Sequence, residues 1–555
     1  MLTSGRFKFF FAFSGLAILS TLLVFPPFLK ETVVGHDLLY HLNWAEEFQR
    51  QFFEGDLYPR WLFEMKGGRG SPVFYYYGPL PYYISALFAA ILPVTNKVLV
   101  SLGATYCLAL LISSIGVYWF FCLSKERGMA FLFTMLYMLY PYHLVADLYI
   151  RFAFGEFFAI AWVPFLFVFT RKLAEGRKTA LPLLAIFYAL LIVSHIPTAL
   201  LLTPVLLLYV IILNQGMATI CRVLSGFILG AGLAAFYLLP MVDLISAVSL
   251  EKMTTGHAYY QNAFLMSSEA LRVKHEGFRS LLHNLAIASL VATVAILLSN
   301  RKPTREALFF GAISITALFM MYPPSQFLWD LIPFLKRVQF PWRFFIVISF
   351  SLFYLAAAGN GLSAHSFYRY SRAVALIVLG GLAVITIYFG FLESTQQISN
   401  TNQAIITKSL EIKEGAVEYL PAHAPASDYE KVGNRTLERV SERFTGRQGP
   451  ITFSATSTGG RILATIETPE AQEIVLHQYH FPTWQGRDTD NKHQLNLYRT
   501  QDSLIGFVLG KGQHKLSFTH RTSPAEKAGN IISMLSSGIV FLLFAVRFLK
   551  TDVGR

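Results

Sequence analysis

One stretch near the start of the chain gathers side chains suited to group transfer. It runs Gly35-His36-Asp37-Leu38-Leu39-Tyr40-His41, then Tyr58-Pro59-Arg60-Trp61, then Tyr75-Tyr76-Tyr77-Gly78-Pro79-Leu80-Pro81-Tyr82-Tyr83. An aspartate within hydrogen-bond reach of a hydroxyl can take its proton as the oxygen forms a new bond. Arginine forks match phosphate oxygens, whose charge grows as a leaving group departs. The tyrosines and Trp61 add flat faces the size of a sugar ring. The stretch follows an apolar run directly, so this chemistry sits at a membrane surface. It suits a lipid-linked phosphosugar better than an ion channel or a plain anchor.

Further polar residues interrupt the later apolar runs: Asp147, Arg151 and Glu156; His195 in Ser194-His195-Ile196-Pro197; Tyr259, Tyr260 and His275; Lys336, Arg337, Gln339 and Arg343. Ionisable groups this close to hydrocarbon are costly, so they pair, line a cavity or serve function. Each is a weak signal alone; their expected convergence on one face carries the reading.

The elements that must position them follow from composition. The chain has 555 residues, 54% hydrophobic, 15% aromatic and only 14% charged, which no single soluble core can keep dry. The expected fold is a membrane all-α polytopic bundle of about 12 spans plus interfacial helices. The runs lie near 7–29, 98–122, 129–146, 154–172, 179–195, 197–213, 222–245, 281–299, 306–323, 342–361, 373–392 and 529–549. The net charge of +13 resides in short Lys and Arg clusters between these runs, such as Arg171/Lys172 and Arg301/Lys302/Arg305. Those clusters fall on one side when both termini are cytoplasmic, so they report topology rather than a nucleic-acid groove. The run 79–93 is too short to cross and carries Pro79, Pro81 and Pro93, which predicts an interfacial or re-entrant helix. The first run has the length of a retained anchor and no small-x-small cleavage pattern before Lys30. Cys107, Cys122 and Cys221 all lie in apolar runs, with neither disulfide nor zinc spacing.

The domain reading is a membrane module over 1–392 with a first outer loop at 30–97, an extracytoplasmic β-rich domain over 393–528, and a final span with a cytoplasmic tail over 529–555. In the β-rich segment, short alternating runs at 461–468, 473–479, 494–499, 504–509 and 514–520 are separated by Gly, Asp, Asn and Pro turns, which predicts a small sandwich. Its Tyr479, Phe481 and Trp484 fit either a glycan face or a sandwich core.

The Gly-His-Asp loop, Tyr58-Pro59-Arg60-Trp61, the tyrosine run from 75, Arg151-Phe152-Ala153-Phe154-Gly155-Glu156, Ser194-His195-Ile196-Pro197 and Gln339-Phe340-Pro341-Trp342-Arg343 resemble bacterial polytopic proteins of the "6-pyruvoyl-tetrahydropterin synthase-related" group. Phe481-Pro482-Thr483-Trp484 and Glu526-Lys527-Ala528-Gly529 are similar to the related YfhO-like membrane proteins. Both groups resemble the GT-C glycosyltransferase superfamily. The pterin name implies no pterin chemistry here, since the chain has no cluster of zinc-binding histidines. The superfamily resemblance implies a GT-C-like bundle in a bacterial cytoplasmic (inner) membrane, with a catalytic carboxylate in the first outer loop and a polyprenyl-phosphate sugar donor. Transfer would occur on the extracytoplasmic face. Asp37 occupies the matching place, although many members have a pair of acids where this chain has His36 before Asp37.

The expected roles are Asp37 as general base, Arg60, Arg151, Arg343 and His195 on the donor phosphate, and His36, His41, Trp61, Tyr76, Tyr77 and Glu156 as sugar or acceptor contacts. No cofactor is required; Mg²⁺ or Mn²⁺ is compatible with the pattern. The acceptor is a glycan, lipid or protein of the cell envelope, and the partners are the lipid-linked sugar and membrane lipids. No nucleotide-binding signature points to a sugar-nucleotide donor or an ATP-driven exporter. Blander roles compete at each position. Asp37 suits the N-cap of a helix beginning at Leu38, Arg60 can stack on Trp61, and the tyrosines can form an interface belt. Two other classes use the same residues: a transporter or flippase for a lipid-linked glycan, and a non-catalytic assembly protein for envelope polysaccharide.

Overall fold

The computed structural model describes residues 4–29, 35–93, 96–124, 126–213, 216–249, 259–266, 276–300, 302–358, 366–393, 413, 416–425 and 439–552. His275 lies outside the described residues. Among them, seven helices are long and apolar enough to cross a membrane, from Lys97–Cys122 to Pro524–Ala545. Two further pairs, Met217–Leu233 with Ala235–Asp243 and Arg305–Phe319 with Pro323–Leu331, would count as one span each but bend by 70° and 99°. The second bend follows from Pro323 and Pro324, which cannot continue a helical hydrogen-bond ladder. Ala12–Phe28, Ala180–Ser194 and Ile196–Ile212 are shorter apolar helices. The last two meet at His195, whose extended backbone (φ −162°, ψ 106°) precedes Pro197.

The helix expected at 79–93 is present at Leu80–Ile91. Its 12 residues rise about 18 Å, too little for hydrocarbon. It packs between the outer-loop helix Leu38–Phe53 and the span Lys97–Cys122. Leu38–Phe53 buries polar side chains along with its apolar ones, and its Gln49 donates to Ser85 (3.0 Å) and Ser101 (3.1 Å). The first outer loop is therefore an integral layer of the bundle.

Beyond the membrane helices, two antiparallel sheets form the sandwich. They are ordered β1-β4-β8-β7 and β2-β3-β9-β5-β6, with β1 at Phe444–Gly446, β2 at Thr452–Thr458, β3 at Arg461–Thr468, β4 at Gln472–Tyr479, β5 at Trp484–Asp488, β6 at Gln494–Leu495, β7 at Tyr498–Arg499, β8 at Leu504–Leu509 and β9 at Gly512–His520. Strict alternation in β3 buries Ile462, Ala464, Ile466 and Thr468. Between the sheets, Phe518 meets Phe444 (ring centroids 5.8 Å) and Phe507 (5.2 Å).

Two boundaries differ from the expected 393–528 domain. Among the described residues the first strand begins at Phe444, and residues 416–425 pair instead with the membrane module, where Ser249 N–H donates to Leu420 O (3.1 Å) and Ala422 N–H to Ala247 O (2.9 Å). The last helix starts at Pro524, ahead of 529, because Ser523 Oγ accepts from Glu526 N–H (3.1 Å) in a Ser-x-x-Glu start with proline in the first turn.

The sandwich is fastened to the first outer loop. Trp61 Nε1 donates to Gln478 Oε1 (2.8 Å), Gln478 Nε2 donates to Gly68 O (2.6 Å), Tyr479 N–H donates to Arg69 O (2.8 Å), and Arg443 pairs with Glu64. Trp61 also packs on Phe481, Trp484 and His520.

Candidate active site

After Pro141, residues Tyr142–Ile150 form a π-helix, a rare wider turn that is frequent at functional sites. It ends at Arg151, Phe152 takes φ +58°, and a new helix starts at Phe154. This break lets Arg151 face both ways. Its Nη1 reaches Asp147 Oδ1 (2.6 Å) on the π-helix, and its Nη2 reaches Glu156 Oε2 (3.1 Å) on the next helix. A pair five residues apart, poor in a continuous helix, becomes a direct contact.

The second arginine arrives from far along the chain. Gln339 adopts φ +70°, a 3₁₀ turn covers Pro341–Phe344, and Arg343 Nε then meets Glu156 Oε2 at 2.8 Å. Arg343 Nη1 donates to Val338 O (2.7 Å) and Gln339 Oε1 (3.3 Å). Tyr142 Oη donates to Glu156 Oε1 (2.6 Å), and Phe340 and Trp342 stack (4.6 Å) beneath both guanidinium groups. Asp147, Arg151, Glu156 and Arg343 are all buried, and their formal charges cancel. Left-handed backbone at Phe152 and Gln339 costs about 1–3 kcal/mol each, and such strain clusters at active sites and ligand clamps.

Asp37 lies at the edge of this cluster. Backbone bonds from His36 N–H to Ile150 O (3.0 Å) and from Asp37 N–H to Arg151 O (2.9 Å) pin the loop to the end of the π-helix. A Cβ on Gly35 would come within 2.7 Å of Phe152 Cβ, so this approach requires glycine. Asp37 is half-buried and precedes the helix at Leu38, but its side chain makes no cap hydrogen bond. It exerts charge on Tyr77, Tyr82 and Tyr106.

Around it, Tyr77 packs against His41, Trp44 and Tyr419. His41 Nδ1 is 2.6 Å from Tyr82 Oη, and burial, reinforced by the Arg151 charge, pushes its imidazole down to about 3. It is therefore a neutral hydrogen-bonding group at physiological pH. His195 is buried with Nδ1 2.7 Å from Thr198 Oγ1, within electrostatic reach of Glu156 and Arg343. His36 is exposed, edge-on to Phe278.

Three expected site residues fall elsewhere. Arg60 lines a different cavity, one that includes none of Asp37, Arg151, His195 or Arg343, because the loop carries it toward the sandwich and last helix. Trp61 is 2% exposed and forms the core between loop and sandwich, so it offers no sugar face. Tyr76 is spent on structure: its Oη donates to Leu244 O (2.5 Å) and its carbonyl accepts from Tyr237 Oη (2.6 Å). Tyr75 and Tyr82 are likewise buried, so the tyrosine run is no interface belt. Tyr260 and Lys336, expected on the same face, both bond Asp330 instead. Phe481 and Trp484 are core residues.

Tyr142 and Tyr419 complete the cluster and its wall without having been singled out from sequence, while Asp147 and Gln339, expected on this face, carry no role in the expected site. Asp147 had a local signal, four residues before Arg151 in one apolar run. Among the described residues, no three His, Cys, Asp or Glu side chains group so as to hold a metal ion. Asp147 and Glu156 are each tied to arginine.

A family model described as "6-pyruvoyl-tetrahydropterin synthase related domain; membrane protein" matches residues 74–394. No curated protein sequence matches the chain. Among solved structures it is similar to the arabinofuranosyltransferase AftD from Mycobacteria, at 15% identity and TM-score 0.44, over 72% of this chain and 27% of that one. It is also similar to the Archaeoglobus fulgidus oligosaccharyltransferase in the apo form, at 13% identity and TM-score 0.43, over 72% of this chain and 57% of that one. A further structure of the archaeal oligosaccharyltransferase AglB, in complex with an inhibitory peptide and a dolichol-phosphate, matches at 14% identity and TM-score 0.32, over 72% and 54%. The chain thus spans about a quarter of the first and just over half of the others, and likeness at this level says nothing of donor or acceptor.

Proposed function

This chain belongs to the 6-pyruvoyl-tetrahydropterin synthase related family of membrane proteins, and from that premise we propose that it is a membrane glycosyltransferase. It moves a sugar from a polyprenyl-phosphate donor to an extracytoplasmic acceptor in the cell envelope of a bacterium. The observation that carries the reading is the backbone clamp of Asp37 onto Arg151, which ties a half-buried aspartate to the segment whose arginine joins the buried cluster, while the charges of Asp37 and Arg343 both bear on Tyr77.

In this mechanism the acceptor hydroxyl attacks the anomeric carbon while Asp37 takes its proton. The bond from that carbon to the phosphate oxygen breaks, and the lipid phosphate leaves with the electron pair. In-line displacement inverts the anomeric configuration. Arg151 and Arg343 meet the phosphate by exchanging part of their bonding with Asp147 and Glu156; each guanidinium has five donors and can serve both. His195 and neutral His41 can hydrogen-bond sugar oxygens.

The test is turnover by purified protein in nanodiscs, with polyprenyl-phosphate sugars presented to an envelope extract. Release of polyprenyl phosphate is expected from the wild type. Asp37→Asn should lose about 10²–10⁴-fold in rate while keeping its melting temperature. Undiminished turnover by Asp37→Asn overturns the assignment, and donor translocation without cleavage makes the protein a transporter.

A further inference from the structure

A cavity of about 660 Å³ opens where three distant pieces of chain meet. These are the outer-loop turn bearing Asp56, Tyr58 and Arg60, the sandwich edge from Gly459–Arg461 to His520 and Arg521, and the first turns of the last helix at Glu526 and Asn530. Its volume falls in the range of about 300–1,000 Å³ typical of small-molecule sites. The proposed transfer reaction uses none of it.

Arg60 is held rigidly, with its guanidinium 4.2 Å from the Tyr58 ring centroid and 5.3 Å from that of Tyr75. Nη2 donates to Phe236 O (3.0 Å) and lies 3.5 Å from Glu526 Oε1. Its side chain is 9% exposed, yet Nη1 is buried with no hydrogen-bond partner among the described residues. His520 Nε2 is buried and unpartnered in the same sense, while Nδ1 is satisfied by Thr483 Oγ1 (2.7 Å). An unmet donor on a buried cation is costly, and folded proteins keep few such groups without a reason. Both belong to residues that line the cavity.

The lining also defines what fits. Arg461 and Arg521 add to Arg60, and Asp56 and Glu526 oppose them, which leaves one positive charge in excess. A bare anion would be repelled by the two carboxylates. A molecule with one or two acidic groups and several hydroxyls satisfies both sets, because hydroxyls donate to carboxylates while its acidic groups take the arginine forks. We propose that this cavity binds an anionic saccharide, with its carboxylate or phosphate on Arg60 and the rim arginines and its hydroxyls on Asp56 and Glu526. The site does not depend on the transferase reading, and binding is measured without turnover.

The wall against the sandwich is built to tight tolerance. Gly459 (φ +52°) and Gly460 (φ +75°) turn β2 into β3, and a Cβ on Gly460 would lie 2.8 Å from Asp56 Oδ2. Two glycines with positive φ suit a two-residue hairpin turn, and here they also let the turn close on the aspartate.

The experiment is calorimetric titration of the full chain in nanodiscs with four probes: digalacturonic acid, the neutral digalactose, inorganic phosphate and a short-chain phosphatidylglycerol. Digalacturonic acid should bind about tenfold or more tighter than digalactose and than phosphate. Arg60→Gln should weaken it by about tenfold, and Arg461→Gln and Arg521→Gln by a few-fold each. The last two residues are exposed, so their variants test the site even where Arg60→Gln folds poorly. Equal affinity for the neutral sugar, tighter binding of phosphate alone, or preferential binding of phosphatidylglycerol would each overturn the proposal. So would acidic-sugar affinity unchanged in both rim variants.

Discussion

Two clusters of arginine and carboxylate occur in the molecule, and they are built on opposite principles. At the end of the π-helix, Arg151 and Arg343 each meet a carboxylate within 3.1 Å, all four charged side chains are buried, and rings cover both guanidinium groups. Around Arg60 the nearest carboxylate is 3.5 Å away, one guanidinium nitrogen is unmatched among the described residues, and two further arginines stand exposed. The first cluster resembles a tensioned frame on which Asp37 rests. The second resembles a receptor waiting for acceptors. Aromatic rings flank both, so what separates them is how completely the donors are matched: Arg151 and Arg343 must exchange bonds to meet a phosphate, whereas Arg60 keeps one donor without a partner among the described residues.

The sharpest way to break this comparison is to remove one acid from each cluster. Glu156→Ala takes the paired carboxylate from buried Arg343 and one of two from buried Arg151 and should cost about 3–5 kcal/mol, read as a large fall in melting temperature or failure to accumulate in the membrane. Glu526→Gln in the outer cavity should cost less than about 1 kcal/mol. Equal effects would show that the two clusters do the same job. Next in size is Trp61→Ala, which empties the core between outer loop and sandwich and should cost about 3–4 kcal/mol. Limited proteolysis within 444–520 would report the loosened sandwich, while the π-helix cluster should be untouched. Gly460→Ala forces a side chain into a positive-φ site against Asp56 and should cost about 1–3 kcal/mol. It should also weaken digalacturonic acid binding, whereas a matched Gly510→Ala, with open space around its Cβ, should leave binding alone.

Much of the frame was legible in the sequence, because apolar runs and alternation report local preference. The strand 461–468 emerges from period-two patterning, whereas Leu504–Leu509 keeps its expected bounds although it is buried at nearly every residue. The twelve expected spans resolve into a mixture of full, bent and short helices, because composition does not register a 70° turn at Ala234, where neither proline nor charge interrupts the run. Membership of the sites was legible only where partners are local. Asp147, Arg151 and Glu156 lie within one segment, whereas Arg343 reaches Glu156 across 187 residues and Trp61 reaches Gln478 across 417. Arg60 reads the same as Arg151 in sequence, since the unmet donor that distinguishes them depends on where the sandwich and last helix come to rest.

Glu47 offers the finest test, because it combines features of both clusters. Its side chain is fully buried like Glu156, but it lies in the outer loop and is met by Arg50 (2.9 Å) and by Lys413 (2.5 Å) from the segment ahead of the sandwich. Burial raises its carboxyl, but the hydrogen bond from Arg50 and the charge of Lys413 outweigh this and hold it below the usual carboxylate value of 4.5. A carboxyl depressed in the folded state stabilises fully above its unfolded pKa, and that contribution fades as pH falls through the folded value. Melting temperature should therefore fall on acidification below about pH 4.5. Glu47→Gln should lower it at neutral pH and flatten that acid limb. Lys413→Met should do the same with a smaller amplitude, because Arg50 remains. If Glu47→Gln leaves the acid limb unchanged, the pair is a surface-like contact, and the distinction between matched and unmatched charge fails at its intermediate case.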